Sequence, residues 1–294
     1  MRAHVLEQVR RLGTALALVR RFDLREWLHI QSIRALPWLG EKWSRSRYVV
    51  LDEKALRKTR RSDTVFIFGS GYSLNDLSAE EWAHIAAHDT IGFNYSSRQR
   101  WVRTDYHIVG EIFTADDARR SRWCPGIEEY GRLIAGNPMY EHTIIGLQAG
   151  WFAYQSNRLA ASGCLRKGTR IFRYKRIARG LFRPPTRAIA DGLVHGAGSL
   201  SDVVNFAYAM GWRQIVIAGV DLYDSRYFWL GYDETRPDMM LNRGTGHSEQ
   251  HPTADTLIPY LKGWRELMER DGVALTVYNP RSLLARVLPV YSAE

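Results

Sequence analysis

The chain has 294 residues, of which 45% are apolar and 24% are charged, and this is enough apolar material for the core of one large domain. These values exclude wholesale disorder, and no apolar run reaches the roughly 18 residues that a membrane-spanning helix requires. Two cysteines, Cys124 and Cys164, exclude a disulfide framework and a four-cysteine zinc site. The composition therefore predicts a protein of a reducing compartment, the cytoplasm.

The formal charge of +10 is unevenly distributed along the chain. Residues 1–61 contain 15 basic and 6 acidic residues, and residues 165–187 contain 9 basic residues and no acidic one. The rest of the chain carries a balance of −8. A nucleic-acid-binding domain builds its basic face into the fold. An acidic body with two basic segments therefore argues against nucleic acid as a partner.

The first basic segment has the pattern of an amphipathic helix. Residues 4–21 place apolar side chains at spacings of three and four, which is one stripe of a helix, here next to Arg-Arg pairs. The stripe consists of Val5, Val9, Leu12, Leu16 and Val19. We predict that residues 1–61 form a basic helical segment. Two interpretations stay open: the segment lies on an anionic membrane surface, or it packs on the main domain.

A phosphate-binding pattern follows this segment. Thr64–Phe68 is continuously apolar, as a buried parallel strand is, and the glycine turn Gly69-Ser-Gly-Tyr-Ser-Leu74 comes directly after it. Ser78 and Glu81 then have the spacing of a capping box at a helix start. Strand, turn and helix together predict a phosphate site. The turn lacks the third glycine of a dinucleotide fingerprint and the lysine of a P-loop, which disfavours NAD and ATP.

Further strands and one crossover helix are predicted downstream. The strands are at 89–94, 106–110, 143–146, 215–221 and 274–278, and the helix is at 201–211. This alternation predicts an α/β fold with one Rossmann-like, mostly parallel sheet flanked by helices, over residues 62–294. Asn94 and Asp221 end strands at the edge where ligands of open α/β sheets bind. Residues 151–190 are rich in arginine and aromatic residues without a clear strand, and we predict a lid-like insertion over that edge.

Three motifs in the last third of the chain point to a family. Gly219-Val-Asp221-Leu-Tyr223 continues to Tyr227, Gly246-His247-Ser248 follows, and Asn279-Pro280-Arg-Ser282-Leu-Leu comes after the last strand. Together with the glycine turn, Asn94 and Gly198-Ser199, this ordered set resembles the bacterial lipooligosaccharide sialyltransferases, glycosyltransferase family 42. The resemblance covers roughly residues 64–290.

The resemblance implies an inverting, metal-independent glycosyltransferase. It would transfer sialic acid, or a related nonulosonic or ulosonic acid, from a CMP-activated donor such as CMP-Neu5Ac or CMP-Kdo. The acceptor would be a sugar hydroxyl of a cell-surface glycan or glycolipid, as in lipopolysaccharide biosynthesis, and neither a cofactor nor a metal is implied. The expected place is the cytoplasm, with residues 1–61 holding the enzyme peripherally on the inner membrane. A homo-oligomer stays open.

The resemblance also implies roles for individual residues. His247 would be the general base, and Tyr223 and Tyr227 would hydrogen-bond the departing phosphate. The expected substrate-binding residues are Gly69, Ser70, Gly71, Ser73, Asn94, Ser199, Gly219, Asp221, Asn279, Pro280 and Ser282. Histidine has a suitable pKa for base catalysis near neutrality, and phenols can stabilise charge on a phosphate without a cation.

Several residues depart from the family pattern or allow another interpretation. Ser70 and Tyr72 stand where the first turn of the family commonly has Asn and Pro, and Gly110 stands near a position where the family has an asparagine that contacts the sugar. Asp221 could cap a turn, and Ser199 could belong to the N-cap of the helix that follows. His247 and His251 have no glutamate in the position that the zincin motif requires.

Two other functions stay open. One is a pyrophosphokinase-like enzyme, because a Gly-x-Gly-x-Ser-Leu turn also resembles a family linked to pterin pyrophosphorylation; such an enzyme requires Mg²⁺ and ATP. The other is a non-catalytic, membrane-attached module that binds a nucleotide.

Overall fold

The computed structural model describes residues 35, 38–110, 127–150, 153–177, 182–196, 198–223, 226–230 and 254–292. The strands in these ranges are β1 Val49–Val50, β2 Thr64–Phe68, β3 Asp89–Phe93, β4 Tyr106–Val109, β5 Ile144–Gln148, β6 Arg170–Tyr174, β7 Arg176–Ile177, β8 Leu193–Val194, β9 Gln214–Ala218 and β10 Ala274–Val277. The helices with defined bounds are α1 Glu53–Arg57, α2 Ala79–Ala86, α3 Ile127–Gly136, α4 Tyr154–Ser162, α5 Ser199–Met210 and α6 Ala254–Arg270. A helical segment over 38–44 precedes them.

Eight strands form one parallel sheet in the order β1-β6-β5-β4-β3-β2-β9-β10. The chain proceeds from β2 through β3 to β6 on one side, and β9 and β10 lie on the other side of β2. The loops that follow β2 and β9 therefore diverge at the carboxyl edge of the sheet, which is the switch point where ligands of such sheets bind. The predicted Rossmann-like, mostly parallel sheet is confirmed.

Helices cover both faces of this sheet, because the side chains of each buried strand alternate between two cores. Val65 and Ile67 of β2 belong to the core that contains α5 and α6. Phe66 and Phe68 belong to the opposite core, which contains residues of α2. The predicted crossover helix is confirmed as α5, which ends at Gly211 in a left-handed conformation (φ 88°). The capping box of Ser78 and Glu81 is also confirmed at the start of α2.

The prediction that no strand crosses residues 151–190 is wrong. This range contains α4 and β6, and β6 pairs with β5 and β1 inside the main sheet. The sequence of β6, Arg-Ile-Phe-Arg-Tyr, conceals the strand because it begins with Arg170 and because Arg173 interrupts its apolar residues. Arg173 is accommodated there by an ion pair with buried Glu41 at 2.6 Å. The lid-like insertion stays a prediction only for the residues after β6.

The sheet also extends into the predicted N-terminal segment 1–61. β1 forms the edge of the sheet beside β6, and α1 follows it. Main-domain structure therefore begins before residue 62. The predicted amphipathic helix over 4–21 lies outside the described residues. Among the residues that are described, no helix is both long and apolar enough to cross a membrane.

A buried histidine lies beneath the carboxyl edge of the sheet. His107 is on β4 with no exposed surface, its Nδ1 is 3.2 Å from the Tyr140 hydroxyl, and its Nε2 contacts the Tyr130 hydroxyl. Burial lowers the pKa of His107 to about 3, because the charged form would lose its hydration. The imidazole is therefore neutral in the folded protein near neutral pH.

We expect His107 to make the stability of the protein depend on pH. In the unfolded chain a histidine has a pKa of about 6.5, so below that pH the unfolded state binds one proton more than the folded state. The free energy of unfolding should fall by about 1.4 kcal/mol per pH unit as the pH decreases from about 6.5 toward 3. The measurement is urea unfolding at several pH values. The free energy of unfolding should depend less steeply on pH in His107→Gln than in the wild type. Equal slopes for the two proteins would contradict the prediction.

Candidate functional site

The glycine turn after β2 packs backbone to backbone against the loop after β9. Gly69 N donates a hydrogen bond to Ala218 O at 2.8 Å, and Gly71 N donates to Gly219 O at 2.7 Å. A Cβ atom at Gly69 would lie 2.2 Å from Gly219 O, and one at Gly71 would lie 2.4 Å from an oxygen of Asp221. Neither position has room for a side chain. The glycines are therefore required by the packing of the two loops.

Asp221 joins three loops of the carboxyl edge. Its carboxylate is buried and accepts hydrogen bonds from Ser73 N at 3.0 Å and from the Ser73 hydroxyl. It also accepts one from Asn279 Nδ2 at 3.1 Å. These donors come from the loops after β2 and β10, so the carboxylate holds both against the loop after β9. In this arrangement Asp221 positions the site through bonds to the protein.

Two predicted site residues of the loop after β10, Asn279 and Ser282, hold this loop in place. The Ser282 hydroxyl donates to Val220 O at 2.6 Å and accepts from Leu284 N at 3.2 Å, which caps a short helix over Leu283–Arg286. Asn279 Nδ2 also lies 3.3 Å from the Tyr223 hydroxyl. The motif Asn279-Pro-Arg-Ser282 therefore fixes the loop, and its asparagine connects Asp221 to Tyr223.

A cavity of about 290 Å³ lies between the loops after β2, β9 and β10. Its lining consists of Ser73, Leu74, Asp76, Leu77, Glu81, Ala218, Gly219, Tyr278, Asn279, Pro280 and Arg281. Arg281 forms an ion pair with Asp76, and Tyr223 and Asp76 both raise its pKa. Arg281 is not among the site residues that the sequence motifs predicted. Its place in the variable position of the Asn-Pro-x-Ser motif, after a strand of the sheet, is a signal that could have identified it.

A second group of polar residues surrounds Gly110, at the carboxyl ends of β3 and β4. A methyl group built on Gly110 would lie 3.0 Å from Ser199 Oγ, 3.4 Å from Arg176 Nη2 and 3.5 Å from Asn94 Oδ1. We name Asn94, Gly110, Arg176 and Ser199 the Gly110 cluster. The predicted residues Asn94 and Ser199 are thus brought together. Arg176 was recognised in the sequence only as part of a basic segment.

The conformation of Asn94 is unusual for a residue other than glycine. Its φ of 50° is in the left-handed region, which asparagine tolerates better than most residues. Its Oδ1 is buried and has no hydrogen-bond partner among the described residues. Buried acceptors are nearly always hydrogen-bonded in folded proteins. An unpartnered Oδ1 at the carboxyl edge of the sheet is therefore consistent with a place for a ligand.

Arg176 is held by a buried carboxylate in the first turn of α5. Asp202 accepts a hydrogen bond from Arg176 Nη2 at 2.7 Å, and His195 Nδ1 lies 3.1 Å from each carboxylate oxygen. Asp202 has no exposed surface, and Arg176 and His195 are largely buried. The guanidinium therefore has a defined position beside Gly110.

Tyr227 connects the glycine turn after β2 with the surroundings of the Gly110 cluster. It forms an isolated antiparallel bridge with Gly71, and its ring is 5.6 Å from that of Tyr95, the residue after Asn94. The ring also stacks on Trp229 at 4.3 Å. Nearby, Ser70 O accepts a hydrogen bond from Phe228 N at 3.2 Å. The phosphate-binding roles of Tyr223 and Tyr227 stay predictions.

His247 and His251 fall in the range 231–253, outside the described residues. The role of His247 as general base therefore also stays a prediction. Within the described ranges, no three residues among His, Cys, Asp and Glu come together in a group that could hold a metal ion.

The fold and the site define an α/β protein of Rossmann-like topology whose polar loops meet at the switch point of the sheet. No model of a known protein family matches the chain. No curated protein matches it either. Among solved structures the chain is similar to the sialyltransferase CST-II, in a tyrosine-to-phenylalanine variant with bound CMP. The two are 14% identical with a TM-score of 0.43, over 78% of this chain and 86% of that chain.

Proposed function

We propose that this chain is an inverting glycosyltransferase that transfers an acid sugar from a CMP-activated donor to a sugar hydroxyl without a metal ion. The observation that carries the proposal is the meeting of the predicted motifs at the switch point. The glycine turn, the loop of Asp221 and the loop of Asn279 come from distant parts of the sequence and surround one cavity. Ligands of open α/β sheets bind at this place.

The groups around the cavity suit a nucleotide with a phosphate. Arg281 lines the cavity with a cationic group, and guanidinium groups form strong hydrogen bonds with phosphate oxygens. Tyr223 contacts Asn279, which also lines the cavity, so its phenol is close to this ligand space. A phenol and a guanidinium can stabilise the charge that develops on a departing CMP phosphate.

In the proposed reaction, the acceptor hydroxyl attacks the anomeric carbon of the acid sugar from the face opposite CMP. The new carbon–oxygen bond forms as the bond between that carbon and the phosphate oxygen breaks, so the anomeric configuration inverts. His247 takes the proton of the acceptor hydroxyl, and CMP leaves with the electron pair. Tyr223 and Tyr227 hydrogen-bond the departing phosphate.

The test is the release of CMP by the full-length protein from a panel of CMP-activated acid sugars, without acceptor or metal. We expect release from at least one donor, and a loss of about a hundredfold in Tyr223→Phe, as for other removed transition-state donors. The control is Tyr208→Phe, because Tyr208 bonds to Asp271 near the other end of α5. His247→Ala should lose activity with the acceptor present, by about 10² to 10⁴, as is typical of a lost general base.

The same assay separates the other functions. Binding of CMP with no release from any donor would favour the non-catalytic module. Failure to bind CMP, with activity only on ATP and Mg²⁺, would favour the pyrophosphokinase-like enzyme. Either outcome would overturn the proposed transfer.

Peripheral attachment to the inner membrane is part of the proposal. Residues 1–34 lie outside the described residues. Shortly after this segment, the side chains of Leu39 and Trp43 are 45% and 84% exposed. Sedimentation with anionic liposomes, with and without residues 1–34, tests this part.

A further inference from the structure

We propose that the sheet edge at β1 is a docking surface for an anionic bilayer, and that the two basic segments of the sequence form it together. We name residues 38–50 and the turn 166–170 the β1 surface. β1 ends the strand order on the side opposite β9 and β10. The inference rests on the part of the proposed function that places the enzyme on a membrane, and it adds a docking surface on the folded domain itself.

The two basic segments, which are far apart in the sequence, meet in the folded protein. Gly168 N donates a hydrogen bond to Arg47 O at 2.7 Å, and Val49 N donates to Thr169 O at 3.1 Å. Arg47 Nη2 also donates to Gly163 O at 3.3 Å. These bonds hold the start of the second basic segment beside β1, so the two segments form one continuous surface.

This surface is anchored in the core of the domain. Tyr48 and Leu165, one from each basic segment, are buried in the same apolar cluster. The Tyr48 hydroxyl donates to Ala160 O at 2.8 Å, which ties β1 to α4. The exposed side chains on either side of Tyr48 are therefore presented by a fixed backbone.

Exposed apolar side chains are concentrated on the β1 surface. Seven large apolar side chains are exposed among the described residues, and four of them belong to this surface: Leu39, Trp43, Val49 and Val50. Leu39 and Trp43 are four residues apart in a helical segment, so they lie on the same face of it. Tryptophan and aliphatic side chains of this kind enter the boundary between lipid headgroups and acyl chains.

The same surface is cationic. Residues 38–50 and 166–170 contain six basic residues and one acidic residue, Glu41. Glu41 is buried and forms ion pairs with Arg45 and Arg173. Five basic side chains of the surface are exposed: Lys42, Arg45, Arg47, Arg166 and Lys167. Anionic lipid headgroups attract lysine and arginine side chains that lie close to them.

The combination of apolar and cationic side chains fits a bilayer better than it fits a nucleic acid. A nucleic acid is attracted mainly by the cations, through its phosphates. Exposed leucine and valine add nothing to those phosphate contacts. At a bilayer the apolar side chains leave water, while the cations stay at the level of the phosphates. Both kinds of side chain on the β1 surface then contribute to binding.

Two variants of the full-length protein test the two kinds of contact separately. Trp43→Ser removes the most exposed apolar side chain, and its control is Phe182→Ser, since Phe182 is an exposed aromatic residue elsewhere. The double variant Arg166→Glu/Lys167→Glu reverses two charges of the second basic segment. Its control is Lys262→Glu/Arg270→Glu, which makes the same change of net charge at two exposed positions of α6.

The measurement is sedimentation with two kinds of vesicle, phosphatidylcholine alone and equal parts of phosphatidylcholine and phosphatidylglycerol. The wild type should bind the anionic vesicles and not the neutral ones. Arg166→Glu/Lys167→Glu should weaken this binding at least about tenfold, because two attractive charges become repulsive. Trp43→Ser should weaken it about tenfold, as expected when one large apolar side chain is no longer buried. Both controls should stay within about twofold of the wild type.

Wild-type binding by both Trp43→Ser and Arg166→Glu/Lys167→Glu would overturn the inference. An equal loss in Lys262→Glu/Arg270→Glu would also overturn it, because net charge alone would then explain binding. So would tighter binding of a DNA duplex than of anionic vesicles, or light scattering that shows a dimer which Trp43→Ser dissociates. Release of CMP without vesicles should be the same in all these variants. Failure of the docking surface is therefore distinguishable from failure of the proposed transfer.

Discussion

Replacing Asp221 with alanine is expected to lower the free energy of unfolding by about 4 kcal/mol, since three hydrogen bonds to a buried charged group are lost at once. The donors are Ser73 N, the Ser73 hydroxyl and Asn279 Nδ2. Each bond to a charged group contributes roughly 1.5–3 kcal/mol, and the contributions of one group are not fully additive. The three loops of the switch point should therefore come apart locally.

The measurement is urea unfolding without any ligand, for wild type, Asp221→Ala and Ser73→Ala. Ser73→Ala removes only the hydroxyl and should cost about 1–2 kcal/mol. The control is Asp63→Ala, because Asp63 is 76% exposed in its ion pair with Arg60, and exposed pairs contribute at most about 1 kcal/mol. Equal stabilities of Asp221→Ala and Asp63→Ala would refute the role of Asp221. Loss of CMP binding in Asp221→Ala is expected to accompany the loss of stability.

Gly69→Ala is expected to have an effect of similar size, for a steric reason. Its Cβ would lie 2.2 Å from Gly219 O and 2.6 Å from Val220 Cγ2. This oxygen, Gly219 O, cannot move away without breaking the hydrogen bond that it accepts from Gly71 N. Overpacking in well-packed regions costs about 1–3 kcal/mol and occasionally more. We expect a loss at the upper end of this range, or no folded protein.

The matched control is Gly136→Ala. A Cβ at Gly136 would have no atom within 4 Å, and this glycine is the last residue of α3. There the change to alanine should be neutral or should stabilise by up to about 1 kcal/mol, in line with helix propensity. Thermal unfolding and soluble yield should be compared for both variants without nucleotide. If Gly69→Ala is as stable as Gly136→Ala, the packing of the loops does not require a glycine at position 69. Only the close approach of a bound ligand could then explain this glycine.

Particular strands and helices indicate how much of the fold could be predicted from the sequence. Apolar runs such as Thr64–Phe68 and the capping box at Ser78 correctly placed β2 and the start of α2. These signals are local, since a strand buried on both faces requires continuous apolar residues. β6 was missed because Arg173 gives it a polar sequence, and only its distant partner Glu41 makes that arginine compatible with a nearly buried position.

The sequence predicted residues of the candidate site one by one but not their arrangement. Asn94 and Ser199 were recognised separately, each from its motif. Their meeting over Gly110 beside Arg176 depends on the packing of α5 and β7 against the ends of β3 and β4. Arg176 has no distinct sequence signal of its own. Basic residues occur throughout the chain, and only the neighbours of Arg176 in the folded structure distinguish it.

The sequence by itself determined six strands of the sheet, β2 to β5, β9 and β10, the crossover helix α5, and the edge of the sheet at which the polar residues emerge. These features follow from short-range patterns, namely apolar periodicity, helix caps and glycine turns. The tertiary structure alone decided the strand order, with β9 beside β2, and therefore that Asp221 binds Ser73, a residue 148 positions away. Such contacts depend on how whole elements pack against one another, and no local pattern of residues specifies that packing.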